Sequence, residues 1–198
     1  RTPIEPHQVS LYISEKMYVT QEDSEENRER KELVDKHGTK YAAVVMTLKY
    51  RLANEHVIIF SQYDEVLIKL GKILSDMGIR NLFCKGTVFQ RDQIITEFCL
   101  GSMEGRQDAA KIIMLSSSSS AAGTNLTVAK YVIELDPIYG TFRERKLQEQ
   151  QAVGRALRLG QQFPVTLIRF IIEGTIEDEI HTINEKEDEN NAINAFLV

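Results

Sequence analysis

The chain has 198 residues, 42% of them apolar and 27% charged, the balance of a globular protein long enough to bury a core. Its formal net charge of −5 argues against a globally basic nucleic-acid binder, so any contact with DNA needs a local patch. No apolar run approaches the roughly 18 residues of a membrane helix, and two separated cysteines, Cys84 and Cys99, argue against a zinc site or a disulfide framework. Both cysteines lie in apolar runs and are expected as buried thiols. The sequence begins at Arg1 with no methionine and is expected to be a piece of something larger.

Residues 1–37 read as a linker or flanking segment. Gln21 to Glu32 is almost wholly charged or polar, which suits an exposed helix or a mobile connection. Lys40 to Arg51 carries Tyr41, Val44, Val45 and Leu48, followed by Leu52, and predicts a buried helix. His56 to Phe60 is a short β-branched run, a buried strand. Val66, Leu67, Leu70, Ile73, Leu74 and Met77 follow at helical spacing, with Ser61 and Asp64 ahead of them in the pattern of a capping box and Gly78 as the stop. Asn81 to Cys84 predicts a weak strand. Thr87 and Gln90 cap a helix with Ile94, Ile95 and Phe98 on one face. Lys111 to Leu115, Tyr131 to Leu135 and Val165 to Ile172 are three more strands, and a long polar helix carrying Arg155 and Arg158 separates the last two. A final helix starts near Thr175 and runs into the acidic Glu185 to Glu189. Apolar strands alternating with amphipathic helices predict a three-layer α/β domain with a parallel sheet, from about residue 40 to 180. Residues 181–198 form a helical tail, and no internal repeat is visible.

In an open parallel sheet, ligands bind beyond the C-terminal ends of the strands. Those ends lead into Ser61-Gln62, Lys85-Gly86-Thr87, the run Ser116 to Thr127 and Asp136-Pro137. Such small and polar segments present backbone N–H groups and hydroxyls to phosphates. A flexible linker is the other reading of the five consecutive serines, although Gly123 and Asn125 follow directly and buried elements flank the run. Arg155 and Arg158 are three apart and would share one helix face; two such arginines suit a polyphosphate, but a solvated helix explains the spacing equally well. No G-x-x-x-x-G-K-[ST] occurs, and no strand ends in an Asp-Glu pair for magnesium. A nucleotide bound here is therefore expected to be held mainly by another domain. His7, His37, His56 and His181 show no metal-ligand spacing, so no metal site is expected.

The order of motifs resembles the C-terminal RecA-like lobe of Swi/Snf-type ATPases, within helicase superfamily two, over roughly residues 38–180. Val57 to Gln62 resembles motif IV, Leu115 to Thr127 motif V, and Gln151 to Gln161 motif VI, with Val165 to Ile180 similar to the segment that follows. The resemblance implies a RecA-like fold of the P-loop NTPase type. It implies that Arg155 and Arg158 are catalytic arginines reaching ATP phosphates held, with Mg²⁺, by an N-terminal lobe of the same protein. Gln151, Gly123 and Asn125 would line the nucleotide cleft. Ser61, Gln62, Lys85, Gly86, Thr87, Ser117, Ser118 and Thr124 would face double-stranded DNA.

The chain departs from the family pattern at Ser118, Ser120 and Ala121, where a glycine pair and an arginine are usual, and at Leu157, where a histidine is usual. Ile138 to Gln150 is longer than usual and highly charged. The implied activity is that of a second motor lobe in a nuclear, ATP-dependent translocase of chromatin remodelling or DNA repair, inactive without its partner lobe. Nucleosomes or ubiquitin-pathway proteins are further implied partners, since some relatives carry a RING module. The alternative is a RecA-like interaction module that has lost turnover and scaffolds a ubiquitin ligase.

Overall fold

The structure, a computed structural model, describes residues 25–100, 109–116, 125–157, 161 and 163–196, with side chains to Asp188. Among these residues, five parallel strands form one sheet in the order β2-β3-β1-β4-β5. They are β1 (Val57–Ser61), β2 (Asn81–Phe83), β3 (Ile112–Ser116), β4 (Tyr131–Glu134) and β5 (Thr166–Arg169). The helices are α1 (Glu25–His37), α2 (Thr39–Met46), α3 (Asp64–Asp76), α4 (Val88–Leu100), α5 (Phe142–Val153) and α6 (Ile176–Phe196).

Side chains alternate across the sheet with a period of two, and both faces are covered. Val57, Ile59, Ile112, Met114 and Ile133 face one side, where Val44, Val45 and Leu48 of the α2 region and Leu67, Leu70 and Leu74 of α3 pack on them. Ile58, Phe60, Ile113, Leu115 and Val132 face the other, against Phe98 of α4 and Ala152 and Val153 of α5. Burial on both faces is why these strands read as unbroken apolar runs. The segment expected as a linker contributes α1, a mostly polar helix whose Leu33 joins the first of these cores.

The helix ends follow local chemistry. Gly78, at φ +74°, closes α3 in a Schellman motif, with Ile79 N–H donating to Leu74 O at 2.8 Å and Gly78 N–H to Ser75 O at 3.0 Å. Thr87 and Gln90 cap α4 reciprocally: Gln90 N–H donates to the Thr87 hydroxyl at 3.3 Å, and Thr87 N–H to Gln90 Oε1 at 2.9 Å. The capping box expected at Ser61 and Asp64 does not form. The residue before α3 is Tyr63, and the Ser61 hydroxyl bonds elsewhere. The chain past α2 continues as a π-helical turn, Thr47–Arg51, where Leu52 N–H reaches back five residues to Thr47 O. The expected domain edge at 180 falls inside α6, which runs unbroken from Ile176 to Phe196.

Candidate functional site

The C-terminal edge of the sheet brings several predicted residues together. Ser61 and Ser116 end β1 and β3 in register. Ser61 is buried, and its hydroxyl donates to Asp136 Oδ1 at 2.6 Å while accepting from Tyr63 N–H at 3.0 Å. Gln62 N–H donates to Asp136 Oδ2 at 3.1 Å, and the Gln62 side-chain amide donates to Pro137 O at 3.2 Å. Both residues thus shape the turn leaving β1, and the exposed side chain of that turn is Tyr63. Asp136, the anchor of the turn, stands out in the sequence only as the first polar residue after β4.

The neighbouring turn carries Lys85, Gly86 and Thr87. Lys85 is exposed and pairs with Asp64 at 2.7 Å, at the start of α3. Gly86 has φ +108°, a backbone conformation that side-chain-bearing residues rarely adopt, so the entry to α4 favours glycine. Thr87 spends its hydroxyl on the α4 cap.

Arg155 does not lie on α5. The helix ends at Val153, Gly154 is its C-cap, and Arg155 occupies the turn that follows. A Cβ on Gly154 would meet the Gln150 carbonyl oxygen at 2.3 Å, backbone that cannot give way. The turn is stitched to the segment entering β4: Leu126 N–H donates to Arg155 O at 2.9 Å. Gln161 returns to the same place, its amide donating to Ala129 O at 2.9 Å and Ala156 O at 3.3 Å. The Arg155 side chain is buried beside Cys84, at the end of β2. Burial pushes the Cys84 thiol up, and the guanidinium opposes it. Gln151, on the last turn of α5, and Asn125 are exposed. Asn125 Oδ1 accepts from Thr127 N–H at 3.3 Å. Arg158, Ser117, Ser118, Gly123 and Thr124 lie outside the described residues.

A buried ionic group behind this edge escaped the sequence reading. Glu134 of β4 faces Arg169 of β5 in register, and Arg169 Nε donates to Glu134 Oε2 at 2.6 Å. Arg169 Nη2 donates to Glu149 of α5 at 2.8 Å. Burial pushes the Glu134 carboxyl up, and Arg169 pulls it back down. Single charges inside the apolar runs YVIEL and VTLIRFII were the available signal, since a lone charge in a central strand needs a partner on its neighbour.

A parallel α/β lobe with an arginine-bearing turn at its C-terminal strand edge has the construction of a RecA-like motor domain. The helicase conserved C-terminal domain family matches residues 39–160, more than half of the chain, and the chain belongs to that family. It is 34% identical over 138 residues to the ATP-dependent helicase fft1 of Schizosaccharomyces pombe, covering 69% of this chain and 14% of that protein. It is 36% identical over 133 residues to the DNA repair protein RAD5 of Cryptococcus neoformans, covering 66% of this chain and 10% of that one. The crystal structure of the C-terminal part of the Fun30 ATPase domain shares its fold with a TM-score of 0.61 and 29% identity, over 74% of this chain and 45% of that one. These relatives are Swi/Snf-type ATP-dependent helicases, and the chain spans a small fraction of the curated ones.

The strand edge offers an arginine turn and polar loops, but among the described residues no group of three or more His, Cys, Asp or Glu side chains is placed to hold a metal ion.

Proposed function

We propose that this chain is the second motor lobe of an ATP-dependent double-stranded DNA translocase of the nucleus, serving chromatin remodelling or DNA repair. The observation that carries the reading is the Leu126 N–H to Arg155 O bond at 2.9 Å, which joins the arginine turn to the C-terminal end of the motif V segment. Movement of one is felt by the other, and that is what coupling a nucleotide cleft to a DNA-facing surface requires.

ATP supplies the phosphoryl bond whose cleavage drives the cycle. This chain's part is positional and electrostatic. Arg155 and Arg158 reach the phosphates when the two lobes close, where an arginine contributes on the order of 10³-fold or more in rate. Gln151, Gly123 and Asn125 line the same cleft. Lys85, Gly86, Thr87, Ser117, Ser118 and Thr124 form the DNA-facing strip, shaped at one end by Ser61 and Gln62. The unit runs from residue 38 to about 180, flanked by residues 1–37 and the tail from 181. The lobe alone does not turn over ATP, because the phosphate loop and the magnesium ligands belong to the N-terminal lobe.

The test is ATP hydrolysis by the parent protein with and without double-stranded DNA, beside Arg158→Ala and beside this chain alone. DNA-stimulated turnover that collapses in the variant, with ATP binding kept and the isolated chain inert, supports the reading. No turnover in the parent protein, or turnover indifferent to Arg158, moves the chain to an interaction module. Robust hydrolysis by the isolated chain overturns the division of labour.

A further inference from the structure

The charged stretch from Ile138 to Gln150 has no part in the function argued so far, yet it contains Arg145, the largest fully buried side chain of the described residues. Arg145 lies one turn into α5, and α6 is what covers it. Its Nη2 donates to Glu187 Oε2 at 3.0 Å, to Asp188 Oδ1 at 3.1 Å and to Asn184 O at 3.4 Å, all on α6. Lys146 adds a bond to Asp188 Oδ2 at 2.6 Å and another to Glu149 at 2.8 Å. Glu149 in turn holds Arg169. Nε and Nη1 of Arg145 have no hydrogen-bond partner among the described residues, so the fold keeps this group buried at a cost.

Two features give the contact a purpose. The buried side chains of α5 are Arg145 near its start and Ala152 and Val153 at its end. The apolar pair seats the C-terminal end of the helix, and Arg145 is the buried residue that seats the other, with Lys146 beside it on Asp188. The helix ends at Val153, and its C-cap Gly154 leads directly into Arg155. An α-helix transmits a shift at one end to the other, here over the eight residue steps from Arg145 to Val153, about 12 Å. On the other side, none of the α6 residues from Ile176 to Asp188 is fully buried. That helix is docked by polar contacts: Lys40 with Glu177 at its start, the Asn184 amide to Ile138 O at 2.9 Å in the middle, and Arg145 with Glu187 and Asp188 beyond.

We propose that Arg145, clamped by Glu187 and Asp188 of α6, is a positioning residue that sets the seating of α5 and thereby presents the Arg155 turn to the nucleotide cleft. The inference rests on the motor reading above. It makes the helix after β5 a working part of the lobe: a motor that lacks α6, or in which α6 lifts away, loses arginine presentation while the sheet stays intact.

The experiment compares Arg145→Met, Arg145→Lys and the double variant Glu187→Gln with Asp188→Asn, each in the parent protein. DNA-stimulated kcat, the KM for ATP and hydrogen exchange over residues 150–157 are the readouts, and thermal unfolding confirms a folded lobe. Met keeps the volume and removes the charge; Lys keeps the charge. The expected result is a loss of kcat on the order of tenfold for Arg145→Met and for the double variant, with KM changed far less, as for a misplaced catalytic group. Exchange over residues 150–157 rises in the same variants, and Arg145→Lys restores both. If Arg145→Met does not fold, the double variant alone decides. Wild-type exchange and kcat in a folded Met variant, a Lys variant as poor as Met, or faster exchange with unchanged kcat each overturn the proposal. If the wild-type parent hydrolyses no ATP, the motor reading fails, and unchanged exchange would sink the clamp as well, whereas raised exchange would retain it as a clamp on the turn.

Discussion

Asp136 holds Ser61 from the end of the adjacent strand: one carboxylate oxygen takes the serine hydroxyl at 2.6 Å, and the other takes the next backbone N–H at 3.1 Å. The pair locks the end of β1 to the end of β4, at the level where the loops of the candidate site begin. Asp136→Ala leaves a buried hydroxyl and a backbone N–H to find new acceptors. The expected cost is about 2 kcal/mol, the usual range for bonds to a charged group, read as a lower urea midpoint. Asp136→Asn keeps one acceptor oxygen in place and should lose about half as much. Equal losses in the two variants would show that only the carboxylate charge matters.

How far the sequence could be read follows from the kind of signal each residue carries. The strands were legible because burial on both faces leaves apolar runs such as Val57 to Phe60 and Ile112 to Leu115, and the helix caps at Thr87 and Gly78 were legible because they are local hydrogen-bond chemistry. Ser61 misled because its hydroxyl has two uses. Asp64, three residues after it, has the register of a capping partner, but Asp136 lies 75 positions away and wins the contact. Helical periodicity continues past Val153 into Arg155, whereas the backbone breaks at Gly154. The Glu134–Arg169 pair and the Arg145 clamp depend on which strands and helices become neighbours, and spacing along one segment carries no record of that.

The start of α5 should respond to acid. Thr141 caps it, with Thr141 N–H donating to Glu144 Oε2 at 2.9 Å and the Thr141 hydroxyl to the same oxygen at 2.8 Å. The Thr141 hydroxyl, followed by its backbone N–H, holds the Glu144 carboxyl below the usual carboxylate range. A carboxyl lowered by folding adds stability above its unfolded pKa, about 4.3 for glutamate, and that stability is lost as pH falls through the lower folded value. Wild type should therefore exceed Glu144→Gln in thermal stability at pH 6 to 7, and the gap should close below about pH 4. A gap that stays constant down to acid would mean that the ionised form is not what the cap prefers.

Arg169 and Glu134 give the opposite pH dependence. Both are mostly buried, and Arg169→Met removes the partner that opposes the desolvation of Glu134. Breaking one side of a buried pair costs about 3–5 kcal/mol when the remaining charge stays ionised. Glu134 has an escape, because burial already pushes its carboxyl up, and loss of Arg169 pushes it further. A carboxyl raised by folding favours the native state below its unfolded pKa, and that advantage is lost as pH rises through the folded value. The Arg169→Met variant should thus fall furthest behind wild type near pH 8 and recover toward pH 5. Adding Glu134→Gln should remove most of the pH dependence, since a neutral amide has no charge to desolvate. Chemical denaturation of the three proteins across that range is the measurement. A deficit in Arg169→Met that does not change with pH would mean that Glu134 stays in one protonation state throughout, and that the loss comes from Glu149 and the packing of α5 instead.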